Sequence, residues 1–487
     1  MSRINTNVSS LIAQNNLGKT NKSLSVSLER LSTGLRINRG ADDPAGLIVS
    51  ERLRSEIQGV TQSIDNAERA ANVIGTAEAS LQEVSALLTE MKSLVIESAN
   101  TGAFSKEEIA ANQLQIDSAV ASITRISNTA SFAGLKLLNG SLDYLTSGIN
   151  PSQLQDVKIY GANFGSNSIL PVSVEVINSA ETASLFISGN TTGSPGALLS
   201  SVTFELQGND GVEVFSFVSG TTLSAVAAAV NQTTDATGVQ ASLASATNQT
   251  SGLVLTSSGY GTDSFVSVRK LDDGAFFQSF TAQGGTATNR DNGEDVLALI
   301  NGNLALGDGT SISMNSSTLN VEMNLTVAAA QSLSTYSFSL TGGGANFQIG
   351  PNINASQQVG FGIQSVAATR LGDELVGFLS SIVSGGENSL VAGQQNNANH
   401  IVSAATDQIT LMRGRLGAFE RNTLQTTIRS SQISLENLTA AESRIRDTDF
   451  AEETANLTRA QILQQAGTSQ LAIANNTAQS VLALLQG

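Results

Sequence analysis

Leu53, Ile57, Val60, Ile64, Ala67, Ala71, Ile74, Ala77, Leu81, Val84, Leu88, Met91 and Val95 follow one another in steps of four and three. Such steps return each side chain to one stripe of an α-helix, and their long alternation marks a coiled coil rather than a short globular helix. The one irregularity is the doubled three-step at Ala71, Ile74 and Ala77, where local overwinding of the supercoil is expected. A second series repeats the rule at Ala398, Val402, Ala405, Ile409, Met412, Leu416 and Phe419. Proline permits this at both ends: of 5 prolines, only Pro44 precedes residue 150 and none follows Pro351. "ESANTGAFSKEE" closes the first long helix and predicts a new one with Ser105 as N-cap and Glu108 completing a capping box.

The same steps recur near the ends, in Leu24, Leu28, Leu31 and Leu35, and in Leu471, Ala474, Ala478, Val481 and Leu485. Ile473, Leu482 and Leu484 fall outside the latter series, so the last helix is apolar on more than one face. One partner helix cannot cover all of it, and the remainder calls for another chain.

Between residues 160 and 345 the texture changes to alternating strands with Gly, Asn and Asp turns. "VTFELQGNDGVEVFSFV" predicts a hairpin turning at "GNDG", "GTTLSAVAAAVNQ" a short helix, and "GVQASL", "LVLTS" and "FVSVRK" strands. Helical ends around a β-rich middle give an α+β chain, with a discontinuous α-helical coiled-coil core formed by both ends and an inserted β-rich domain.

Composition removes most chemistry. With no cysteine there is no disulfide or thiolate site, and with a single histidine, His400, neither a multi-histidine metal site nor an HExxH helix can be built. His400, at the start of a helical pattern, is expected on the surface. The net charge of -16 is concentrated in the middle: residues 161–400 contribute -13, residues 1–160 contribute -2 and residues 401–487 contribute -1. An acidic, lysine-poor middle argues against nucleic acid or an anionic membrane as partner. No apolar run reaches the ~18 residues of a membrane span, and the beginning lacks the apolar core of a cleaved export signal.

The remaining motifs read structurally. "AQNNLGKT" is a loosened phosphate-loop pattern, but alanine takes the first glycine position and the preceding segment is helical. "TGGGANFQIG" reads as a return linker. Asp42 and Asp43, and Asp447, Asp449, Glu452 and Glu453, sit where helical patterns stop and start, as helix-capping carboxylates do. Arg36, Arg39, Asp42 and Asp43 in one connector and Arg444, Arg446, Asp447 and Asp449 in the other are candidates for salt bridges within or between subunits. No nucleophile–base pair, metal cluster or phosphate loop supports an enzyme, and no cofactor is called for.

"RINTNVSSLIAQNNL", "SLERLSTGLRINRGADDPAGLIVSERLRSEI", "NVIGTAEASLQEV", "FAGLKLLNG" and the long C-terminal stretch from "SSQISLENLTAAESRIRDTDFAEE" to "QSVLALL" together resemble bacterial flagellin. "GTTLSAVAAAVNQTTDATGVQAS" with "LVLTSSGYGTDSFVSV" resembles the family's insertion module, at about 201–270. The resemblance implies a structural subunit that polymerises into an open helical filament and is exported to the cell exterior without a cleaved signal. It implies residues 1–40 with 450–487 as an inner terminal coiled coil lining the filament channel. Residues 41–175 with 343–449 would be a surrounding helical tube with a small β-hairpin part, and 176–342 an outer β-rich insertion. On that reading Leu24, Leu28, Leu31, Leu35, Leu471, Ala474, Ala478, Val481, Leu482 and Leu485 serve self-assembly. The tube seam holds Leu53, Ile57, Val60, Ile64, Ile74, Leu81, Leu88, Met412, Leu416 and Phe419.

Partners implied by the resemblance are further copies of the chain, an export chaperone, the filament cap and the hook–filament junction proteins. The innate receptor Toll-like receptor 5 senses members of the family through the first long helix. Here Leu94 matches the stimulatory pattern, Glu90 stands where that pattern has arginine and Gln115 where it has an acidic residue, so weak activation is expected. Alternatives are a hook–filament junction protein, which shares the terminal helices, and a secreted adhesin with a helical stalk.

Overall fold

A computed structural model describes residues 6–165, 167–188, 196–245, 251–272, 277–316, 318–373 and 376–486, with backbone alone for 477–486. Its helices are α1 (Val8–Thr33), α2 (Pro44–Ala99), α3 (Lys106–Thr129), α4 (Leu223–Asn231), α5 (Thr234–Thr237), α6 (Val327–Ala330), α7 (Gln395–Phe419), α8 (Gln425–Arg446) and α9 (Phe450–Gln486). A π-helical turn, Glu420–Leu424, joins α7 to α8. Packing divides the chain into two units. Unit 1 is Met1–Ala71, Gln348–Ile353 and Arg421–Gly487; unit 2 is Asn72–Phe347 and Asn354–Glu420.

Unit 1 is helical. Asn7 caps α1 by accepting from the Ser10 N–H at 3.1 Å, and Gly34 stops it in the left-handed region, returning its N–H to the Arg30 carbonyl. α9 lies antiparallel to α1: Asn7 Nδ2 donates to the Ala474 carbonyl at one end, and Ser27 Oγ to the Glu453 carboxylate at the other. α2 begins with Pro44, whose missing N–H costs nothing in the first turn, and Asp43 accepts from the Gly46 N–H at 2.9 Å.

In unit 2 the expected capping box stands at Ser105 and Glu108. The stripe of α2 is fully buried at Ile74, Ala77, Leu81, Val84, Leu88 and Met91, and that of α7 at Ala398, Val402, Ala405, Ile409 and Leu416. Asn112 of α3 donates to Ser98 of α2 at 3.1 Å, and Arg413 of α7 lies 3.8 Å from Glu78 of α2. Gln113 of α3 bridges the loop beyond: its Nε2 donates to the Ile382 carbonyl and its Oε1 accepts from Leu390 N–H. His400 is exposed on α7.

The β part of unit 2 has two cores. In the first, a five-stranded antiparallel sheet containing Leu170–Asn178, Leu297–Ile300 and Thr335–Gly343 faces a four-stranded one containing Leu154–Ala162, Ser311–Asn315 and Leu319–Leu325. Val172, Val174 and Val176 meet Ile312, Val321 and Met323 between them. The second core is inserted within the first and encloses Leu185, Phe204, Leu206, Leu255 and Val268, with α4 contributing Leu223, Val226 and Val230. Here the expected hairpin forms, with Gln207 opposite Val212 across "GNDG", as do the short helix and the three strands that follow. The boundary expected at 175/176 falls inside the strand Leu170–Asn178.

The glycine run is not a linker. Thr341–Gly343 completes a strand paired with Tyr144 and Leu145, and Ala345–Gln348 is a strand of its own. Gly343 has φ 87°, and a Cβ there would lie 2.2 Å from the Asp143 carbonyl oxygen, so close strand approach, not flexibility, calls for glycine.

Candidate functional site

The α1–α9 pair is closed by small and polar side chains. On α1, Ser10, Ala13 and Ser27 are buried, with Leu17, Thr20, Leu24 and Leu31 half-buried between them. On α9, Glu453, Ala460 and Ala474 are buried, with Gln464, Gly467 and Leu471 half-buried. Both sets run in steps of three and four or their sums, so this is a heptad seam in which small and polar residues alternate with leucines. A Cβ on Gly467 would already stand 3.3 Å from Leu17 Cδ1, so the helices approach closely there.

Other large apolar side chains point elsewhere. Val8, Leu11 and Ile12 on α1 are 57%, 55% and 55% exposed, and Ile462, Leu463 and Ile473 on α9 are likewise exposed, as are Ile48, Val49, Ile433 and Phe450 in the rest of unit 1. Leu28, expected in the seam, is 51% exposed. The helix presents Ser27 instead, because its hydroxyl hydrogen-bonds buried Glu453 at 2.5 Å, with Arg30 at 3.4 Å completing the contact. Leu35 forms an isolated β-bridge with Asp447 just beyond α1. Ala478, Val481, Leu482 and Leu485 lie outside the residues whose side chains are described.

The two connectors meet, through main chain more than through charge. Arg36 N–H donates to the Arg446 carbonyl at 2.7 Å, Thr448 N–H to the Gly34 carbonyl at 2.9 Å, and the Arg36 guanidinium to the Ile445 carbonyl at 2.6 Å. Within the chain, among the described residues, no arginine of one connector pairs with an aspartate of the other. Arg39 pairs with Glu29 and Arg446 with Glu51, because the aspartates are engaged locally. Asp42 accepts from the Asn38 and Arg39 N–H groups, Asp447 from the Ser443 hydroxyl, and Asp449 caps α9 at Ala451 and Glu452. The Arg39 and Asn38 main-chain bonds hold the Asp42 carboxyl below its usual range. Arg446, followed by Arg54, does the same for Glu51. Arg444 is exposed at the end of α8.

Leu53 and Ile57 of α2 are half-buried, and Val60 and Ile64 buried, in unit 1. Met412 and Phe419 of α7 are half-buried in unit 2, and Phe419 packs 4.8 Å from Phe361 between ring centroids. Beside Met412, the Arg415 guanidinium lies over the Tyr160 ring at 3.1 Å and bonds Glu322 at 3.0 Å. This clamp holds α7 to the sheet, and burial pushes the Tyr160 phenol far above its ordinary range. The receptor-pattern residues separate: Glu90 and Gln115 are exposed, whereas Leu94 is buried.

"AQNNLGKT" lies wholly inside α1, with Thr20 Oγ1 bonded to the Asn16 carbonyl as in an ordinary helix turn. Sequence reasoning passed over what this stretch lines: a groove of about 610 Å³ along α1 and α9, bordered by Lys19, Lys22, Arg30 and Arg459. Lys19, Lys22 three residues on and Arg30 eight further share one face of α1, which is the signal the sequence carries. Among the described residues no group of acidic or histidine side chains is arranged to hold a metal, and no helix is long and apolar enough to cross a membrane.

Residues 4–143 match the bacterial flagellin N-terminal helical region, residues 400–485 the C-terminal helical region, and residues 203–259 the flagellin hook IN motif. The chain is 31% identical to the B-type flagellin of Pseudomonas aeruginosa, over 99% of each chain. It is 28% identical to a flagellin of Salmonella typhimurium and 29% to flagellin B of Helicobacter pylori, again over 99% of each. Among solved structures, the flagellar cap protein FliD of Escherichia coli aligns with 47% of this chain and 62% of its own, at 17% identity and a TM-score of 0.30.

Proposed function

The chain belongs to the bacterial flagellin family and is a structural subunit of the flagellar filament, and on that premise we propose that the α1–α9 pair joins one copy to the next. The carrying observation is apolar bulk in excess of what the pair can cover. Leu17, Leu24, Leu31 and Leu471 are half-buried in the seam, while Val8, Leu11, Ile12, Leu28, Ile462, Leu463 and Ile473 face outward. An exposed apolar face of this kind is stable only when covered, and neighbouring copies cover it in a polymer. The outward faces of α1 and α9 differ and so can meet heterologously, and such a contact repeated without closing on itself gives an open helix.

On this reading residues 1–40 and 450–487 form the inner coiled coil, with the Leu24, Leu31, Leu471 and Ala474 positions holding the pair together. α2, α3, α7 and α8 supply the helical tube, and the acidic exterior begins ahead of the strand Leu170–Asn178, which the expected boundary at 175/176 would cut. Of the connector arginines, Arg36, Arg39 and Arg446 are engaged within the chain, and exposed Arg444 is the cation left, among the described residues, to pair between copies. An export chaperone, the filament cap and junction proteins are the further partners. Buried Leu94 and acidic Glu90 support weak sensing by Toll-like receptor 5.

Electron microscopy of the monomer before and after addition of a precipitating salt tests the reading, beside a chain truncated after Asn475. Such salts strengthen apolar burial. Long uniform filaments from the full chain but not from the truncation are expected. Discrete particles from both would favour a junction protein or a stalked adhesin.

A further inference from the structure

The groove along α1 and α9 is built for something the chain itself does not supply. Lys19, Lys22, Val26 and Arg30 form one stripe of α1, and Arg459 and Leu463 face them from α9. At a rise of about 1.5 Å per residue the stripe is roughly 16 Å long, three turns of helix. Its single anion, Glu453, is already bonded to Ser27 and Arg30. Lys19, Lys22 and Arg459 have no ion-pair partner among the described residues, and the Nε of Arg30 is buried with no acceptor. Leu463 on the same wall is 52% exposed. A row of cations beside open apolar surface fits neither bulk water nor a small free anion, which would leave Leu463 and Val26 uncovered.

We infer that this groove receives a carboxylate-bearing helix face of a second copy of the chain. The inference rests on the filament reading and adds which chemistry sets the register between copies. Charge complementarity identifies the occupant, because another copy of the same helical unit brings exposed carboxylates that have no cation of their own among the described residues. Unit 1 has exposed acids of the required form in Glu56, Asp65 and Glu68 on α2 and Glu436 on α8, none with an ion-pair partner among the described residues. Glu436 stands one turn from exposed Ile433, pairing an acid with an apolar side chain as the groove wall does. Apolar faces alone tolerate sliding, whereas fixed charges at helical spacing select one register.

Carbodiimide cross-linking of filaments grown from a mixture of light and ¹⁵N-labelled full-length chain tests this directly, since the reagent joins an amine to a carboxylate only in contact. Lys19 and Lys22 are expected in light–heavy peptides with an Asp or Glu of another copy. If both lysines give only same-copy links, or stay free while other lysines link, the proposal falls. In parallel, K19E/K22E/R459E is expected to raise the critical concentration for seeded elongation about tenfold, with K19R/K22R/R459K close to the parent. Elongation of the reversed variant at the parental critical concentration overturns the inference. Sulfate strengthens apolar burial in every variant, so the groove is read from the ratio of the K19E/K22E/R459E critical concentration to the parental one. The same ratio is expected in chloride and in sulfate at matched ionic strength, and a ratio that appears only in sulfate would assign the groove to a free anion instead. Failure of the parent chain to form filaments would strike the filament reading itself, a separate outcome.

Discussion

Ser27 Oγ donates to the Glu453 carboxylate at 2.5 Å, joining residues 426 positions apart in a buried contact. It is the most enclosed polar bond between α1 and α9, and it explains why a serine occupies a seam position beside an exposed leucine. Replacing Glu453 with alanine leaves the hydroxyl and the Arg30 guanidinium without their acceptor. The expected cost is about 2 kcal/mol, discounted for the partial exposure of Arg30. Filaments of Glu453→Ala should dissociate at a lower temperature than the parent, followed by light scattering, and Ser27→Ala should fall between them. An unchanged dissociation temperature for Glu453→Ala would mean that the contact does not hold the pair.

Acid should loosen the connector. The folded-state value of Glu51 lies below its ordinary 4.5, chiefly through Arg446 and then Arg54. A lowered carboxylate contributes its stabilisation fully above the unfolded value and loses it as pH falls through the folded one. Asp42, lowered by the Arg39 and Asn38 main-chain donors, acts in the same direction. Unit 1 should therefore be insensitive to pH from neutrality down to the ordinary carboxylate range and weaken below it. Glu51→Gln should flatten that acid limb while lowering stability at neutral pH, as read by proteolysis of the α2–α8 connection across a pH series.

The long stripes of α2 and α7 were legible because a coiled-coil seam is written in local spacing, and Ile74, Leu81, Leu88 and Leu416 are all fully buried. The hairpin at "GNDG" and the capping box at Ser105 were legible for the same reason, since each is decided within a few residues. Leu28 was misassigned because apolarity was the only local guide, whereas Ser27 is selected by a carboxylate 426 positions away. Gly343 was taken for a linker because composition does not reveal which strand lies 2.2 Å from its missing Cβ. Lys19 falls in a phosphate-loop pattern, yet its place beside Lys22 in the groove depends on Arg459 of a helix distant in sequence.

Gly343 offers a test of that close approach. Its φ of 87° already strains any side chain, and the Asp143 carbonyl leaves no room for one. Gly302, with φ 79° and nothing within 4 Å, carries the backbone strain alone in a turn of the same sheet. Gly302→Ala should cost about 1 kcal/mol and Gly343→Ala about 3 kcal/mol, the difference being steric. Urea unfolding followed by tyrosine fluorescence separates the two. Equal midpoints would show that Tyr144 and Gly343 are less tightly paired than their register implies.

The inserted β core should unfold separately from the machinery of assembly. Phe204 is fully buried there, stacked on Phe277 at 4.9 Å and tilted against Phe215 at 5.7 Å. Its cluster shares no residue with the core between the two larger sheets. Phe204→Ala removes a large ring from a closed site, at an expected cost of about 3 to 5 kcal/mol. Calorimetry should show one transition moving to lower temperature while the others stay. Filaments should still grow from this variant with the parental critical concentration, because no residue of α1 or α9 is touched. A loss of polymerisation equal to that of a terminal truncation would instead make the inserted core part of the intersubunit contact, and would shift the proposed site away from the helical ends.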